Sequence, residues 1–286
     1  MPPVTTRSTT RPAVARPATL AFDIGGTGLK ASVLDAHGAM VHDRVRVETP
    51  YPCPPTVLLA ALQALVTDLP PFDRISIAFP GVVRGGHVLT APHLSMPTGP
   101  GGKPSKELVA LWHGFDLAGE IAAALGKPTR VLNDADMQGL DVVAGTGVEI
   151  VVTLGTGVGT SLFKDGVLGP HLELAHHPFR HGESYDEQLG DVARKRIGKK
   201  KWNKRIATAI ATLDALVLFD HMYLGGGNTR HITFELPPNV TIIDQNAGLL
   251  GGLRLWDDSV RKAAPRTAGA EPAPTTARKS APRRRN

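Results

Sequence analysis

The stretch Asp23-Ile24-Gly25-Gly26-Thr27-Gly28 narrows the choice of fold more than any other part of the chain. It closes the short apolar run Thr19–Ile24, and a second apolar run, Leu29–Leu34, follows at once. A buried strand that returns directly as a strand is a β-hairpin, not the strand-to-helix turn of a dinucleotide site. Glycines at such a tip let backbone N–H groups come close to a phosphate. Thr27 adds a hydroxyl donor, Asp23 a carboxylate suited to a hydrated Mg2+, and Lys30 a counter-charge for phosphate. A plain tight hairpin would explain the same residues, so this turn alone does not decide the chemistry.

The pattern returns in residues 149–163. An apolar strand over 149–154 meets Gly155-Thr156-Gly157-Val158-Gly159, and a strand follows over 160–163, with a turn at Lys164-Asp165-Gly166. Two strand–glycine–strand units in one chain predict a duplicated architecture. A third cluster, Gly225-Gly226-Gly227-Asn228, follows a strand over 221–224 and suits close backbone approach to a nucleoside or phosphate. Rival nucleotide motifs fail on spacing. Gly102-Lys103 is followed by Pro104, so no Walker loop forms, and Gly155-x-Gly157-x-Gly159 is not the dinucleotide fingerprint.

The remaining punctuation predicts a mixed α/β chain. Strands are expected over 40–47, 75–79, 129–132 and 240–243. Helices are expected over 56–68, 116–125, 136–143, 185–197, 201–219 and 247–256, with Gly99-Pro100-Gly101-Gly102 as a loop. The strand over 129–132 delivers Asn133 and Asp134 to its carboxyl end. From these elements we expect an N-terminal lobe over 19–115, with the helix 247–257 packing back on it, and a C-terminal lobe over 116–246.

Charge is concentrated at the ends. The net charge of +6 is more than supplied by Arg7, Arg11 and Arg16 and by the eight basic residues of 259–286, which face only Glu271; the body is net acidic. Both tails are rich in Pro, Ala, Thr and Arg. Residues 1–18 and 259–286 are therefore expected to be disordered, touching polyanions non-specifically if at all. Within the body, Arg194, Lys195, Arg196, Lys199, Lys200, Lys201, Lys204 and Arg205 crowd one segment, a local positive field suited to a polyanion or simply a solvated helix face. Trp202 beside them reads as a packing anchor. Cys53 is the only cysteine, which rules out an intrachain disulfide and a cysteine-rich zinc site. No run of about 18 or more apolar residues appears, and no apolar signal segment follows the N-terminal arginines; a cytoplasmic location with no membrane association is expected.

The three glycine turns in this order, with Asn133-Asp134 between the first two, resemble the ROK family of sugar kinases over roughly residues 19–257. The segments Glu173-Leu174-Ala175-His176-His177-Pro178-Phe179 and Gly198-Lys199-Lys200-Lys201-Trp202 resemble its polyphosphate glucokinase branch. The resemblance implies a two-lobed actin-like ATPase fold of the ribonuclease H-like, hexokinase type. It implies Asp134 as the base that takes the proton of a sugar 6-hydroxyl. It also implies Asn133, Asp134, Glu173, His176 and Glu187 as sugar contacts. Phosphate or nucleotide contacts would come from Asp23, Gly25, Gly26, Thr27, Lys30, Gly155, Thr156, Gly157, Gly225, Gly226, Gly227 and Asn228. Mg2+ would be held by Asp23 through water, and Lys199, Lys200 and Lys201 would be candidate polyphosphate contacts.

Three departures from the family pattern matter. Ala175 replaces a glycine of the Glu-x-Gly-His motif. His93 replaces a sugar-binding asparagine and bears on which sugar is preferred. The cysteines that join the histidine on a structural zinc in many relatives are absent, so no zinc is expected. The expected activity is phosphoryl transfer from polyphosphate, ATP or both to glucose, with another hexose such as mannose or fructose as the alternative. A homodimer is implied by the family alone. A non-catalytic sugar- or polyphosphate-binding protein is disfavoured by the presence of Asp23 and Asp134. A family repressor is disfavoured because residues 1–18 are too short and too rich in Pro and Thr for a helix-turn-helix.

Overall fold

A computed structural model describes residues 16–243 and 249–257 of the chain. In chain order the first elements are β1 (Thr19–Ile24), β2 (Leu29–Leu34), β3 (Val45–Val47), α1 (Pro55–Leu65), β4 (Arg74–Phe79), β5 (Val83–Arg84) and β6 (His87–Val88). Next come α2 (Lys106–Trp112), α3 (Leu117–Leu125), β7 (Thr129–Asn133), α4 (Asp134–Val142), β8 (Val148–Leu154), β9 (Val158–Lys164) and β10 (Val167–Leu168). A 3-10 turn at Leu174–His176 leads to β11 (Pro178–Arg180), β12 (Glu183–Ser184), α5 (Tyr185–Leu189), α6 (Asp191–Ile197) and α7 (Lys199–Val217). The chain then forms β13 (His221–Gly225), a 3-10 turn at Thr229–His231, β14 (Val240–Ile242) and α8 (Leu249–Arg254).

Two five-stranded sheets repeat one topology. The first runs β3-β2-β1-β4-β7 and the second β10-β9-β8-β13-β14. In each, three strands form an antiparallel meander, and two parallel strands extend the sheet from the meander's first strand. The parallel strands need crossover connections, which α-helices supply except between β13 and β14, where the 3-10 turn at Thr229–His231 lies in the connection. Strands covered on both faces read as continuous apolar runs, and β1, β4 and β8 are buried along nearly their whole length.

One core packs Leu20, Phe22, Ile75, Ile77 and Phe79 against Leu58, Leu62, Trp112 and Ile121. A second packs Ile150, Val152, Leu154, Met222 and Leu224 against Trp202, Ile206, Ile210 and Leu213. The helix α4 joins them, with contacts to β4 and β7 of the first sheet and β8 and β9 of the second. Gly139 makes this approach feasible, because a Cβ there would strike the Phe163 ring. On the first sheet's side, Ser76 Oγ donates to Gly252 O (2.5 Å), and Trp256 Nε1 donates to Ser76 Oγ (2.8 Å). These bonds seat α8 on β4 and α4.

Several expectations are corrected. Residues 16–18 are not part of a disordered tail: Arg16 pairs with Asp73 at 2.5 Å, the Ala18 N–H donates to the same carboxylate at 2.7 Å, and Ala18 is buried. The tail expectations for 1–15 and for 259–286 lie outside the described residues, as do residues 244–248, where the last helix was expected to begin. The strand expected in the C-terminal lobe, β7, pairs with β4 from Ile75↔Thr129 to Phe79↔Asn133 and so belongs to the first sheet. At the level of strands the division therefore falls after residue 133, not at 116. The segment between β4 and β7, including α2 and α3, is the crossover that parallel pairing requires. The helix expected over 185–197 is two helices, because the chain turns at Gly190, where a Cβ would sit 2.6 Å from Thr156 O. Only Val45–Val47 of the expected strand 40–47 forms a ladder, with Met40 making an isolated bridge to Leu34.

Candidate active site

The first glycine hairpin joins β1 to β2 with Asp23 opposite Lys30 and Ile24 opposite Leu29. The Gly25 N–H closes the tip on Gly28 O (2.9 Å). Two hydroxyls from the chain after β3 hold it from outside: Thr49 Oγ1 donates to Gly25 O (2.6 Å) and Tyr51 Oη donates to Gly26 O (2.8 Å). Burial pushes the Tyr51 hydroxyl up to about 12, which keeps it protonated as a donor. Gly26 lies under His93 and Pro100, and a Cβ there would sit 2.9 Å from the proline ring. Thr27 is exposed at the tip. Asp23 Oδ2 and Lys30 Nζ pair at 2.7 Å, both partly open to solvent.

The second hairpin joins β8 to β9 and is held by carboxylates and backbone. The Gly155 N–H donates to Gly157 O (2.9 Å), and Asp186 Oδ1 accepts from the Val158 N–H (2.7 Å). The Asp186 carboxylate occupies the space that a Cβ at Gly157 would need. The Asp191 N–H, at the start of α6, donates to Gly155 O and Thr156 O (3.1 and 3.2 Å).

The third cluster ties in here. Gly226 has φ +84°, and a Cβ there would strike Leu154 O. The Asn228 N–H donates to Leu154 O (2.9 Å), and its buried Nδ2 donates to Gly155 O (2.8 Å). Gly225, Gly226 and Asn228 thus form one knot with the second hairpin, while Gly227 and Thr156 remain exposed. Asn228, expected at the nucleotide, is committed through this amide to holding the two turns together.

Between the hairpins stands the head of α4. Asn133 is its N-cap: Oδ1 accepts from the Ala135 and Asp136 N–H groups (2.8 and 3.3 Å), and Nδ2 donates to Gly81 O (3.1 Å). Asp134 is then the first helical residue, and its Oδ1 would lie 3.9 Å from a Cβ at Gly159 of the second hairpin. Burial raises the Asp134 pKa to about 7, opposed by the Ala135 N–H and reinforced by the negative charges of Asp23, Asp136 and Glu173. The carboxylates of both the first hairpin and the loop after β10 therefore act on this one group. His93 bridges in a similar way, lying against Gly26 while its charge responds to Asp186; burial holds it below the usual histidine range.

Glu173 faces two histidines. His171 Nε2 lies 3.2 Å from Glu173 Oε1 and His176 Nε2 lies 3.6 Å from Oε2. The hydrogen bond from His171 holds Glu173 below the usual carboxylate range against the effect of burial. Glu187 is exposed, and its Oε2 accepts from the Ser184 N–H (2.8 Å) while its own N–H donates to Ser184 Oγ (3.2 Å). This capping box gives Glu187 a local folding role at the start of α5.

Lys199, Lys200 and Lys201 are exposed in the first turn of α7, and among the described residues no acid pairs with them. The other cations of the segment differ. Arg194 and Lys195 pair with Asp191 at 2.5 and 2.6 Å, and Arg196 approaches Glu183 at 3.9 Å. Trp202 is fully buried and donates Nε1 to Leu189 O (2.8 Å), which makes it a packing anchor.

Thr49, Tyr51, Asp136, His171 and Asp186 lie outside the sequence candidates. Only His171-x-Glu173-x-x-His176 left a readable trace, a cluster of hydrogen-bonding side chains in one short loop. No three His, Cys, Asp or Glu side chains among the described residues gather around a metal-ion position. Asp23, the residue expected to meet a hydrated Mg2+, has Oδ2 paired with Lys30, and such an ion keeps most of its waters and takes one or two carboxylates together with substrate phosphates.

Duplicated five-stranded sheets, each with a glycine hairpin next to the helix that carries Asp134, define the actin-like ATPase fold. The sequence profile of the ROK family matches residues 19–178, and the chain belongs to that family. A polyphosphate glucokinase of Mycobacterium tuberculosis is 27% identical over 246 residues, spanning 80% of this chain and 88% of the relative. The crystal structure of an inorganic polyphosphate/ATP-glucomannokinase from Arthrobacter sp. strain KM superposes with a TM-score of 0.72 at 26% identity, covering 83% of this chain and 97% of that one. A ROK glucokinase from Streptomyces griseus, solved with glucose and AMPPNP, shares the fold with a TM-score of 0.65 at 18% identity over 86% of this chain and 99% of its own.

Proposed function

We propose that this ROK-family kinase transfers a phosphoryl group from polyphosphate, ATP or both to the 6-hydroxyl of glucose. The observation that carries the reading is Asp134, a carboxylate with a pKa of about 7 at the head of the helix that joins the two sheets, beside a glycine hairpin. A base of that affinity accepts a hydroxyl proton in the transition state and releases it near neutral pH. Phosphoryl transfer asks little more of a protein than positioning and charge stabilisation.

In this reading Asn133, Glu173, His176, Glu187 and His93 hold the sugar, with the Asn133 amide already partly spent on the helix cap. The hairpin residues Asp23, Gly25, Gly26, Thr27 and Lys30, and Gly155, Thr156 and Gly157 opposite, receive the donor phosphates. The Gly225-Gly226-Gly227-Asn228 knot backs the second hairpin. Mg2+, when bound at Asp23 through water, supplies charge neutralisation on the transferring group. Lys199, Lys200 and Lys201 carry the distal part of a polyphosphate chain, which needs more cations than ATP does. The names of the Mycobacterium and Arthrobacter relatives support both donors, and the latter, with His93 in place of asparagine, favours mannose as the second sugar to try.

The test is a sugar panel with ATP and polyphosphate run side by side, following sugar 6-phosphate directly. Glucose 6-phosphate formed with at least one donor is expected. Sound protein that binds glucose but forms none with either donor would replace the kinase by a binding protein.

A further inference from the structure

The side chain of His171 has no part in the reading above, yet it is the most completely enclosed charge pairing next to Asp134. Its Nδ1 lies 2.9 Å from Asp136 Oδ2 and its Nε2 lies 3.2 Å from Glu173 Oε1. Neither ring nitrogen is left over, and its side chain is only 12% exposed. Asp136 is 5% exposed and its other oxygen, Oδ1, is buried without a hydrogen-bond partner among the described residues. Asp136 therefore depends on His171 as its counter-charge. The backbone around His171 is pinned independently: the Gly169 N–H donates to Leu162 O (2.8 Å) and Thr160 Oγ1 donates to Leu172 O (2.8 Å), both on β9.

We propose that His171 is a positioning residue that, as an imidazolium, clamps Glu173 to Asp136 and so locks the sugar-binding carboxylate in register with the helix headed by Asp134. The clamp rests on the proposed sugar site, because Glu173 is assigned there by family resemblance. Its physical logic does not depend on the donor. Asp136 and Asp134 lie two residues apart at the start of one helix, so a cation fixed to Asp136 references Glu173 to the backbone that also carries the base. A neutral imidazole has one N–H and can donate to only one of the two carboxylates; the charged ring donates to both.

The groups that act on the ring are Asp136 from α4 and Glu173 from its own loop, with His176 acting in turn on Glu173. Burial opposes the charge, but the two carboxylates outweigh it and carry the pKa of His171 up to about 10. The folded-state value lies above the unfolded one. The clamp's contribution to stability is thus fully present below about pH 6.5 and is lost as pH rises toward 10.

The experiment compares His171→Gln with wild type, together with the double variant Asp136→Asn/His171→Gln, which removes the buried charge that the single change leaves unpaired. The apparent KM for glucose is expected to rise about tenfold or more in both, with donor KM within about threefold of wild type. Unchanged glucose KM in the folded double variant, or equal losses for sugar and donor, would overturn the clamp. A second readout needs no turnover. In 1H–15N NMR of the full chain, both His171 ring N–H groups are expected to persist at pH 8, and Glu173→Gln is expected to shift the ring's titration down. A ring titrating near pH 6.5 in wild type would overturn the proposal. Were wild type inactive on glucose, this NMR arm would still decide the clamp, and the panel above would decide the function.

Discussion

The two glycine hairpins share a local pattern and differ in what holds them. The first is held by side-chain hydroxyls of Thr49 and Tyr51, on a loop of its own sheet; its Gly28 faces the Arg46 side chain and its Gly26 the side chains of Pro100 and His93. The second is held by the start of α6, by Asp186 and by the Asn228 knot; its Gly157 faces the Asp186 carboxylate, and Gly190 and Gly226 pack without a Cβ against its Thr156 and Leu154 carbonyls. It also abuts Asp134 through Gly159. The first hairpin is thus fastened from outside by side chains, whereas the second is also fastened by backbone groups of its own lobe. In the proposed phosphate site, this makes the first hairpin the more adjustable jaw and the second the more fixed one.

Removing Asp134, the proposed base, has the largest expected effect. Asp134→Asn should lower kcat by about 10²–10⁴-fold while glucose binding, followed by calorimetry, stays within a few-fold of wild type. The same change should raise stability at pH 8. A carboxylate whose folded pKa lies above its unfolded value costs stability once pH exceeds the unfolded value, and the cost is complete above about pH 7. Thermal melts at pH 5 and pH 8 check this: the variant's advantage should grow with pH, and near-normal turnover would sink the base assignment.

The jaws themselves come next. Gly226→Ala combines a positive φ with a collision against Leu154 O, and should cost about 2 kcal/mol or more in urea melts. Gly26→Ala meets side chains instead and should cost less in stability, yet raise the KM for both donors. Equal stability losses would erase the distinction between fixed and adjustable jaws.

Smaller effects follow from single hydrogen bonds. Asn228→Ala should cost about 1–2 kcal/mol, since it removes the buried amide that donates to Gly155 O beside the Asp191 N–H, and Tyr51→Phe about 0.5–1.5 kcal/mol. Neutralising Lys199, Lys200 and Lys201 together should leave the melting temperature nearly unchanged, because the three are exposed and have no acidic partner among the described residues. It should raise the KM for polyphosphate far more than for ATP, and more so at low ionic strength. A salt-independent change, or one equal for both donors, would leave these lysines as a solvated helix face.

Much of the frame is legible before folding. Apolar runs that end in Asp-x-Gly-Gly-Thr-Gly and Gly-Thr-Gly-Val-Gly and resume at once as strand-like runs read as hairpins, so β1–β2 and β8–β9 follow from local chemistry. Trp202 beside the lysines reads as an anchor or a stacking platform, and only its burial and its bond to Leu189 O make it an anchor. The break at Gly190 is not legible in the same way, because it is demanded by Thr156 O, some 34 residues earlier. Nor is the allegiance of β7, whose partner β4 lies across α2 and α3.

The sequence by itself determined the duplicated hairpins, the acidic body with a local cluster of cations, and the placing of Asn133 and Asp134 at the end of a strand. These are properties of neighbouring residues, set by backbone freedom, apolar patterning and charge. The tertiary structure alone decided that Asn133 caps α4 and Asp134 leads it, that Asp23 and Glu173 press on Asp134 together, and that His171 stands between Asp136 and Glu173. Burial and electrostatic coupling depend on which chain segments meet in space, and no local pattern in residues 133–136 or 171–173 states that they will.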